Sequence, residues 1–424
     1  MYRKVWWLNP IVMYLLLLIL AIGAFMFSDN DYIEFFGAQK FINAKYLVLY
    51  ISSFLIFALG VLFSKNNRIV IRKEKIKQSK FSEEMLSFSS LKKAYKIMYK
   101  ICIGAYLVWL VNFARIHGLS SLKVLISMSA MSEYMYVFKY NTGQIAGVTS
   151  FTEIAMLVIP LGVYLCMNET NKKSRNRYLR QIVSLIIISL IRSILFSERI
   201  ALLEVLVPLI ISFLAFTKEK KIRMLIIFGP VIGGICLVLL FGIMEYYRSW
   251  MHYYINVYDS YATFIQNRLL GYYYNAINTE CLILEKFNSI GIPYYSLTWV
   301  WKLPGMGNLL NALYGGDFQQ AYGQLLFTYS NPDYTNCGGL LTFYKDFGYF
   351  FCLFQFFFGY VVGRLYKWFI KGGILSIVVY SFVFVGLLEL PRYFFFGNTR
   401  CLAVYVGILI LIICAKRERK LKNV

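Results

Sequence analysis

The chain has only two histidines, His117 and His252, among 424 residues, and its eight cysteines form neither a Cys-x-x-Cys pair nor a cluster with histidine. A metal centre built on thiolates therefore has no ligand set here, and none is expected. No glycine-rich motif for ATP or a nucleotide sugar is visible, so no cofactor is expected. Charge is scarce as well, at 15% of residues, and acids are scarcer than bases, 21 against 44. Soluble domains carry about 25% charged residues. What fills the space is 59% hydrophobic residues, which places the chain among polytopic membrane proteins.

Apolar runs with polar ends lie at about 11–27, 46–63, 97–113, 149–167, 181–197, 200–217, 224–244, 347–365, 374–390 and 401–415. A helix needs roughly 17 to 25 apolar residues to cross a hydrocarbon core. The expectation is a single all-α membrane unit over residues 1–424 with about ten spans. Arg3 and Lys4 precede the first run, which has no convincing small-residue cleavage site, so the first helix is expected to stay. No internal repeat is apparent, which tells against transporter folds built from inverted repeats. Cys102, Cys166, Cys236, Cys352, Cys401 and Cys414 sit inside the apolar runs, where a thiol is a small hydrophobe. Cys281 and Cys337 lie between spans and are free to pair or not.

The basic residues are not spread evenly. The N-terminus, Lys65–Lys96, Lys100, Lys172–Arg180, Lys218–Arg223, Arg364–Lys371 and the tail Lys416–Lys422 hold 30 of the 44 Lys and Arg, with only six acids on that side. These are alternate connections, and the positive-inside rule makes them cytoplasmic, with both termini. Nearly the whole +23 net charge belongs to that surface. Topogenic charge and anionic lipid account for it, so nucleic acid is not expected as a partner.

Three connections are long. Residues 64–96 read as a basic cytoplasmic linker, and 114–148 as an outer loop whose apolar run Leu119–Met131 is too short to span and suits the interface. Residues 245–346 are the largest. From Glu245 to Lys345 this stretch carries 16 of the 35 tyrosines, with Trp250, Trp299 and Trp301. Disordered segments are poor in aromatics, so this loop is expected to be folded, partly helical, and functional.

Ionisable residues at membrane depth are costly and mark candidate sites. Arg192 and Arg199 are seven apart near Glu198 and Glu204, on one face if the helix runs on through them; the alternative is an ion pair that locks a helical hairpin. Glu389, Arg392 and Arg400 sit on a tight outer turn against the positive-inside trend, facing an anion, a lipid headgroup or each other. Glu245, Arg248 and His252 leave the seventh run, and His252 has the chemistry of a general base. Asp346 stands where the eighth run begins, as a helix cap or a charged group of the site.

The stretch from Thr335, Asn336 and Gly338-Gly339 through Lys345-Asp346-Phe347-Gly348 to Gly359-Tyr-Val-Val-Gly363-Arg364-Leu-Tyr366 resembles the C-terminal signature of Wzy-type polymerases of O-antigen and capsular repeat units. Ser197-Glu198-Arg199 is similar to the arginine motif earlier in that family, and the likeness in layout covers roughly residues 180 to 400. The resemblance implies a glycosyltransferase that polymerises undecaprenyl-diphosphate-linked oligosaccharide units outside the bacterial cytoplasmic membrane, working with membrane lipid and a chain-length regulator protein.

On that implication the diphosphate falls to Arg192, Arg199, Arg248, Arg268, Arg392 and Arg400, because guanidinium groups bind phosphate oxygens two at a time. Asp346, His252 and Glu198 are the acid–base candidates. Tyr247, Tyr272, Tyr273, Trp299 and Asn336 are the saccharide candidates, since aromatic rings offer flat faces to sugar C–H groups. The rivals are a ligase-like transferase with the same layout, a flippase or exporter of lipid-linked saccharide, and a membrane acyltransferase. The long outer loop argues against a flippase.

Overall fold

The computed structural model describes residues 5–66, 87–118, 145, 147–196, 198–217, 219–251, 253–287 and 291–422, and every regular element among them is helical. The expected interfacial run at 119–131 and most of the basic linker lie outside the described residues.

The first helix, α1 (Pro10–Met26), starts with proline in its first turn behind Asn9, whose side chain accepts from the Ile11 N–H, as helix starts favour. It meets α2 (Asp29–Phe36) at a bend of 104°. Ser28 caps α2, and Gly37 ends it in the left-handed conformation at φ 61°. Then follow α3 (Ala44–Asn66), α4 (Phe88–His117), α5 (Ala155–Asn168), α6 (Lys172–Phe196), α7 (Arg199–Phe216) and α8 (Glu219–Glu245). After the long loop come α13 (Phe351–Lys371), α14 (Ile374–Glu389) and α15 (Thr399–Lys422), the loop's own helices being α9 to α12 below.

Among the described residues six helices are long and apolar enough to cross a membrane, and α1 with α2 makes a seventh if the bent pair is one span. The remaining three of the ten runs, the sixth, ninth and tenth, fall on the shorter apolar helices Ile200–Phe216, Ile374–Glu389 and Thr399–Cys414. At 1.5 Å per residue these reach roughly 25 Å, somewhat less than a hydrocarbon core. The fold is that of an all-α, multi-span membrane protein.

Burial sorts the helices. From residue 376 to 387 α14 is buried at all but one position, and α5 is buried throughout its first eight residues, so both form the centre of the bundle. By contrast α8 is the most apolar span yet only 6% of its window is buried, which suits a helix whose solvent is lipid. Its ends alone are tied down. The Trp6 and Trp7 indoles donate to the Ile227 and Leu225 carbonyls at 3.3 Å, and Phe241 meets the Tyr272 ring edge-on.

The closest helix pair is α3 with α13. Gly60, Gly359 and Gly363 lie at the crossing, and a Cβ at Gly359 would stand 2.2 Å from the Phe57 carbonyl oxygen. Small residues four apart let backbones approach in this way. Beside the crossing, Gln355 donates to the Tyr14 hydroxyl and Ser53 to the Leu340 carbonyl, so the polar groups of this apolar region are matched.

The tyrosine-rich stretch is itself a helical layer. It contains α9 (Tyr261–Lys286), α10 (Met306–Tyr314), α11 (Phe318–Tyr329) and α12 (Thr342–Phe347). Ser260 caps α9 and Asp317 caps α11. A buried polar stripe fastens α9 to the chain's beginning: Asn278 accepts from the Phe41 and Ile42 N–H groups and donates to the Gln39 carbonyl, while Asn275 accepts from the Tyr32 hydroxyl. Cys281 and Cys337 are both free thiols.

Candidate functional site

The ends of α7, α8, α14 and α15 that meet the helical layer enclose a cavity of about 650 Å³. One wall is apolar, made by Ile200 and Leu203 of α7, Leu237, Leu240 and Phe241 of α8, and Leu269 of α9. Another is aromatic, with Tyr272, Tyr273, Tyr294, Tyr295, Tyr322 and Tyr393. Charge enters through Glu198, Lys302, Lys345, Glu389, Arg392 and Arg400. Thr335, Asn336 and Gly338 complete the lining. Such a space takes a ligand that is part hydrocarbon, part polar and part charged.

Behind the lining stand buried ion pairs. Arg400 gives Nε to Glu153 at 3.0 Å and Nη2 to Glu204 at 3.1 Å, and Arg192 gives Nη2 to Glu198 at 2.8 Å and Nη1 to Thr152. Three carboxylates thus surround two guanidinium groups. Displacing a buried carboxylate from its arginine costs about 3–5 kcal/mol, so Arg192 and Arg400 hold their own acids before any phosphate. Arg392 differs in facing a single carboxylate. Its Nη1 donates to Glu389 at 2.9 Å, while its Nε, like that of Arg192, has no hydrogen-bond partner among the described residues. Burial works against its charge, but Glu389 together with Tyr393, Tyr273 and Tyr272 lifts the guanidinium's pKa above its ordinary value.

The helix expected to carry Arg192 and Arg199 on one face is broken: α6 ends at Phe196 and α7 begins at Arg199. Of the two acids open to Arg199 as partners, Glu204 lies 3.1 Å from Arg400 and Glu198 2.8 Å from Arg192. The side chains of Arg199 and Arg248, and His252 altogether, lie outside the described residues.

Arg268 is outside the cavity and is held by two acids, although its Nε makes no hydrogen bond. Its Nη1 donates to Asp333 at 2.7 Å, its Nε lies 3.4 Å from Glu245, and its guanidinium stacks among the rings of Tyr254, Tyr272 and Tyr334. Burial opposes this charge also, and Glu245 raises its pKa despite that. The residue joins the start of the layer to its end rather than facing a ligand.

Asp346 is neither a cap of α13, whose first flanking residue is Phe350, nor part of the cavity lining. It sits in α12, 1% exposed, and its two oxygens accept the Tyr295 and Ser296 backbone N–H groups at 2.7 and 2.8 Å. Ser296 in turn presses on Gly397, where a Cβ would come within 2.4 Å of the Ser296 carbonyl oxygen. The carboxylate therefore fastens the segment that brings Tyr294 and Tyr295 to the cavity. Of the remaining candidates, Glu198, Tyr272, Tyr273 and Asn336 line the cavity, whereas Tyr247 and Trp299 do not.

The pair Lys345–Glu280 was not singled out by sequence reasoning. Lys345 Nζ lies 2.9 Å from Glu280 Oε1 and donates to the Gly338 carbonyl at 2.6 Å and to Cys337 Sγ at 2.9 Å. Glu280 also accepts from the Tyr50 hydroxyl and the Leu341 N–H. Burial pushes the Cys337 thiol above its ordinary pKa, against the pull of Lys345. One signal was available: Asn275, Asn278, Thr279 and Glu280 form a helically spaced polar stripe in an aromatic segment, which marks a buried polar network.

No protein-family model, curated protein or solved structure matches this chain. Fold and site define it by class alone, as a multi-span helical membrane protein with an amphipathic, ion-paired cavity at one end of its bundle.

Proposed function

We infer that the chain is a membrane glycosyltransferase that polymerises undecaprenyl-diphosphate-linked oligosaccharide repeat units on the outer side of the bacterial cytoplasmic membrane, with both termini cytoplasmic. The observation that carries this reading is the composition of the cavity: an apolar wall on the span least covered by protein, an aromatic wall from the helical layer, and Arg392 in the lining with an unpartnered Nε. An isoprenoid diphosphate saccharide has a part to match each of the three.

The chemistry asked of the protein is modest. A diphosphate is already a good leaving group, and a fixed guanidinium stabilises its developing charge. Arg392, held in place by Glu389, serves that role, and Arg400 supplies field from behind its own carboxylates. The acceptor hydroxyl gives its proton to a carboxylate, and Glu198, lining the cavity and steadied by Arg192, is the candidate from the original set.

The test is the lipid-linked saccharide profile of a strain lacking this chain. Single repeat units accumulating outside support the reading. Polymer left on lipid would indicate a ligase-like transferase instead, and units trapped inside a flippase.

A further inference from the structure

Buried polar atoms without a partner are uncommon, because each has given up a hydrogen bond to water. Besides Arg392 Nε, two such atoms belong to residues on the cavity wall, the Tyr295 hydroxyl and Thr342 Oγ1. They belong to one neighbourhood. Tyr295 donates its N–H to Asp346 on α12, Lys345 Nζ lies 4.9 Å from the Tyr295 ring centre, and Thr342 is one helical turn before Lys345. Hydroxyl groups left over in an aromatic wall suit a ligand that can both donate and accept, as a sugar does.

The charges of the lining add a second observation. Glu198 is matched by Arg192, Lys345 by Glu280, Arg392 by Glu389, and Arg400 by Glu153 and Glu204, all within 3.1 Å. Lys302 is the exception among the described lining residues. It is exposed and follows the helical turn Thr298–Trp301; its backbone N–H donates to the Val300 carbonyl, and its side chain has no ion pair or hydrogen bond among the described residues. Near it the Gln319 amide holds the Tyr294 hydroxyl at 3.0 Å.

We propose that Tyr295, Thr342 and Tyr294 with Lys302 form a subsite for an acidic saccharide, one whose sugar carries a carboxylate, and that Lys302 determines this specificity. The proposal rests on the glycosyltransferase reading and adds the substrate class. A phosphate oxygen has the same chemistry toward Lys302, so the test separates the two sources.

Trp299 and Trp301 lie beside Lys302, and the Trp301 indole is fixed to the Pro293 carbonyl at 3.0 Å, which makes tryptophan fluorescence the natural readout. The full chain in lipid nanodiscs is titrated with trigalacturonate and with its carboxyl-reduced, neutral form. Trigalacturonate is expected to bind about fivefold tighter at low salt, the scale of one exposed ion pair. The preference should vanish in Lys302→Gln, while Thr342→Val weakens both saccharides by about threefold or more, the scale of one neutral hydrogen bond.

Equal binding of the two saccharides, or a preference that survives Lys302→Gln, overturns the acidic subsite and leaves the glycosyltransferase reading intact. Inorganic diphosphate that displaces trigalacturonate from the native chain but binds Lys302→Gln poorly overturns it too, by assigning Lys302 to phosphate. Failure of both saccharides to bind overturns the sugar subsite, whereas the glycosyltransferase reading stands or falls on the lipid-linked saccharide profile of a strain lacking this chain.

Discussion

Replacing Asp346 by asparagine separates a fastening role from a chemical one. The carboxylate takes two backbone N–H groups at 2.7 and 2.8 Å, and a hydrogen bond to a charged acceptor contributes roughly 1.5–3 kcal/mol. Asparagine keeps one of these as a neutral bond of about 0.5–1.5 kcal/mol and turns an N–H2 toward the other donor. The anchorage of residues 295 and 296 should weaken by about 2–4 kcal/mol, so the segment opens about thirtyfold to several hundredfold more often. Hydrogen–deuterium exchange of the chain in nanodiscs reads this directly at the Tyr295 and Ser296 amides, which exchange through local opening. Exchange should accelerate by that factor while the amides of α5 stay protected, and polymer synthesis should fall with it. Unchanged protection at 295 and 296 together with lost polymer would refute the fastening argument and return Asp346 to the chemistry.

Lysine at Arg392 keeps a charge but cannot serve Glu389 and a phosphate oxygen in one plane. Arg392→Lys should therefore cut polymer formation by on the order of a hundredfold in a normally inserted protein, with lipid-linked single units accumulating; normal polymer would remove the diphosphate role. Gly359→Leu should prevent the close approach of α3 and α13 and cost more than about 3 kcal/mol, seen as lost monodisperse protein in size-exclusion chromatography, whereas Gly233→Ala, with nothing within 4 Å of the added carbon, should not. Arg400→Met leaves Glu204 without its cation and Glu153 with only Arg192, 3.7 Å away, and should destabilise by about 3–5 kcal/mol in thermal unfolding. Adding Glu153→Gln and Glu204→Gln should restore most of that loss, and a triple variant no more stable than Arg400→Met would show that the charges are not what the arginine balances.

Each of the ten apolar runs falls on a helix, since a long apolar segment in lipid must satisfy its own backbone. That much is a local property and legible. The depth of burial was not: α8 and α14 have similar compositions, yet one faces lipid and the other fills the centre. Glu198 was legible as an ion-pair acid beside Arg199, but that Arg192, six residues before it, holds it was not. The real hold on Arg400 was not, because Glu153 is 247 residues distant and no periodicity points to it. Asp346 looked like a cap because its partners, 50 and 51 residues back, are backbone groups that no side-chain pattern announces. The glycines at 359 and 363 drew attention as a motif; their physical reason is the Phe57 and Val61 backbone across the helix crossing.

The bond from Asn278 to the Phe41 N–H spans 237 residues. At about 5–20 residues per second of synthesis, some 10 to 50 s pass between the emergence of the donor and that of its acceptor. During that interval Phe41 and Ile42, buried in the finished protein, have no partner and stay in contact with water or headgroups. The fastening of residues 39–42 is thus a late event, set after seven of the ten apolar runs have been made. A pause placed before residue 260 would prolong an N-terminus with two open backbone donors, and one placed after residue 286 would not.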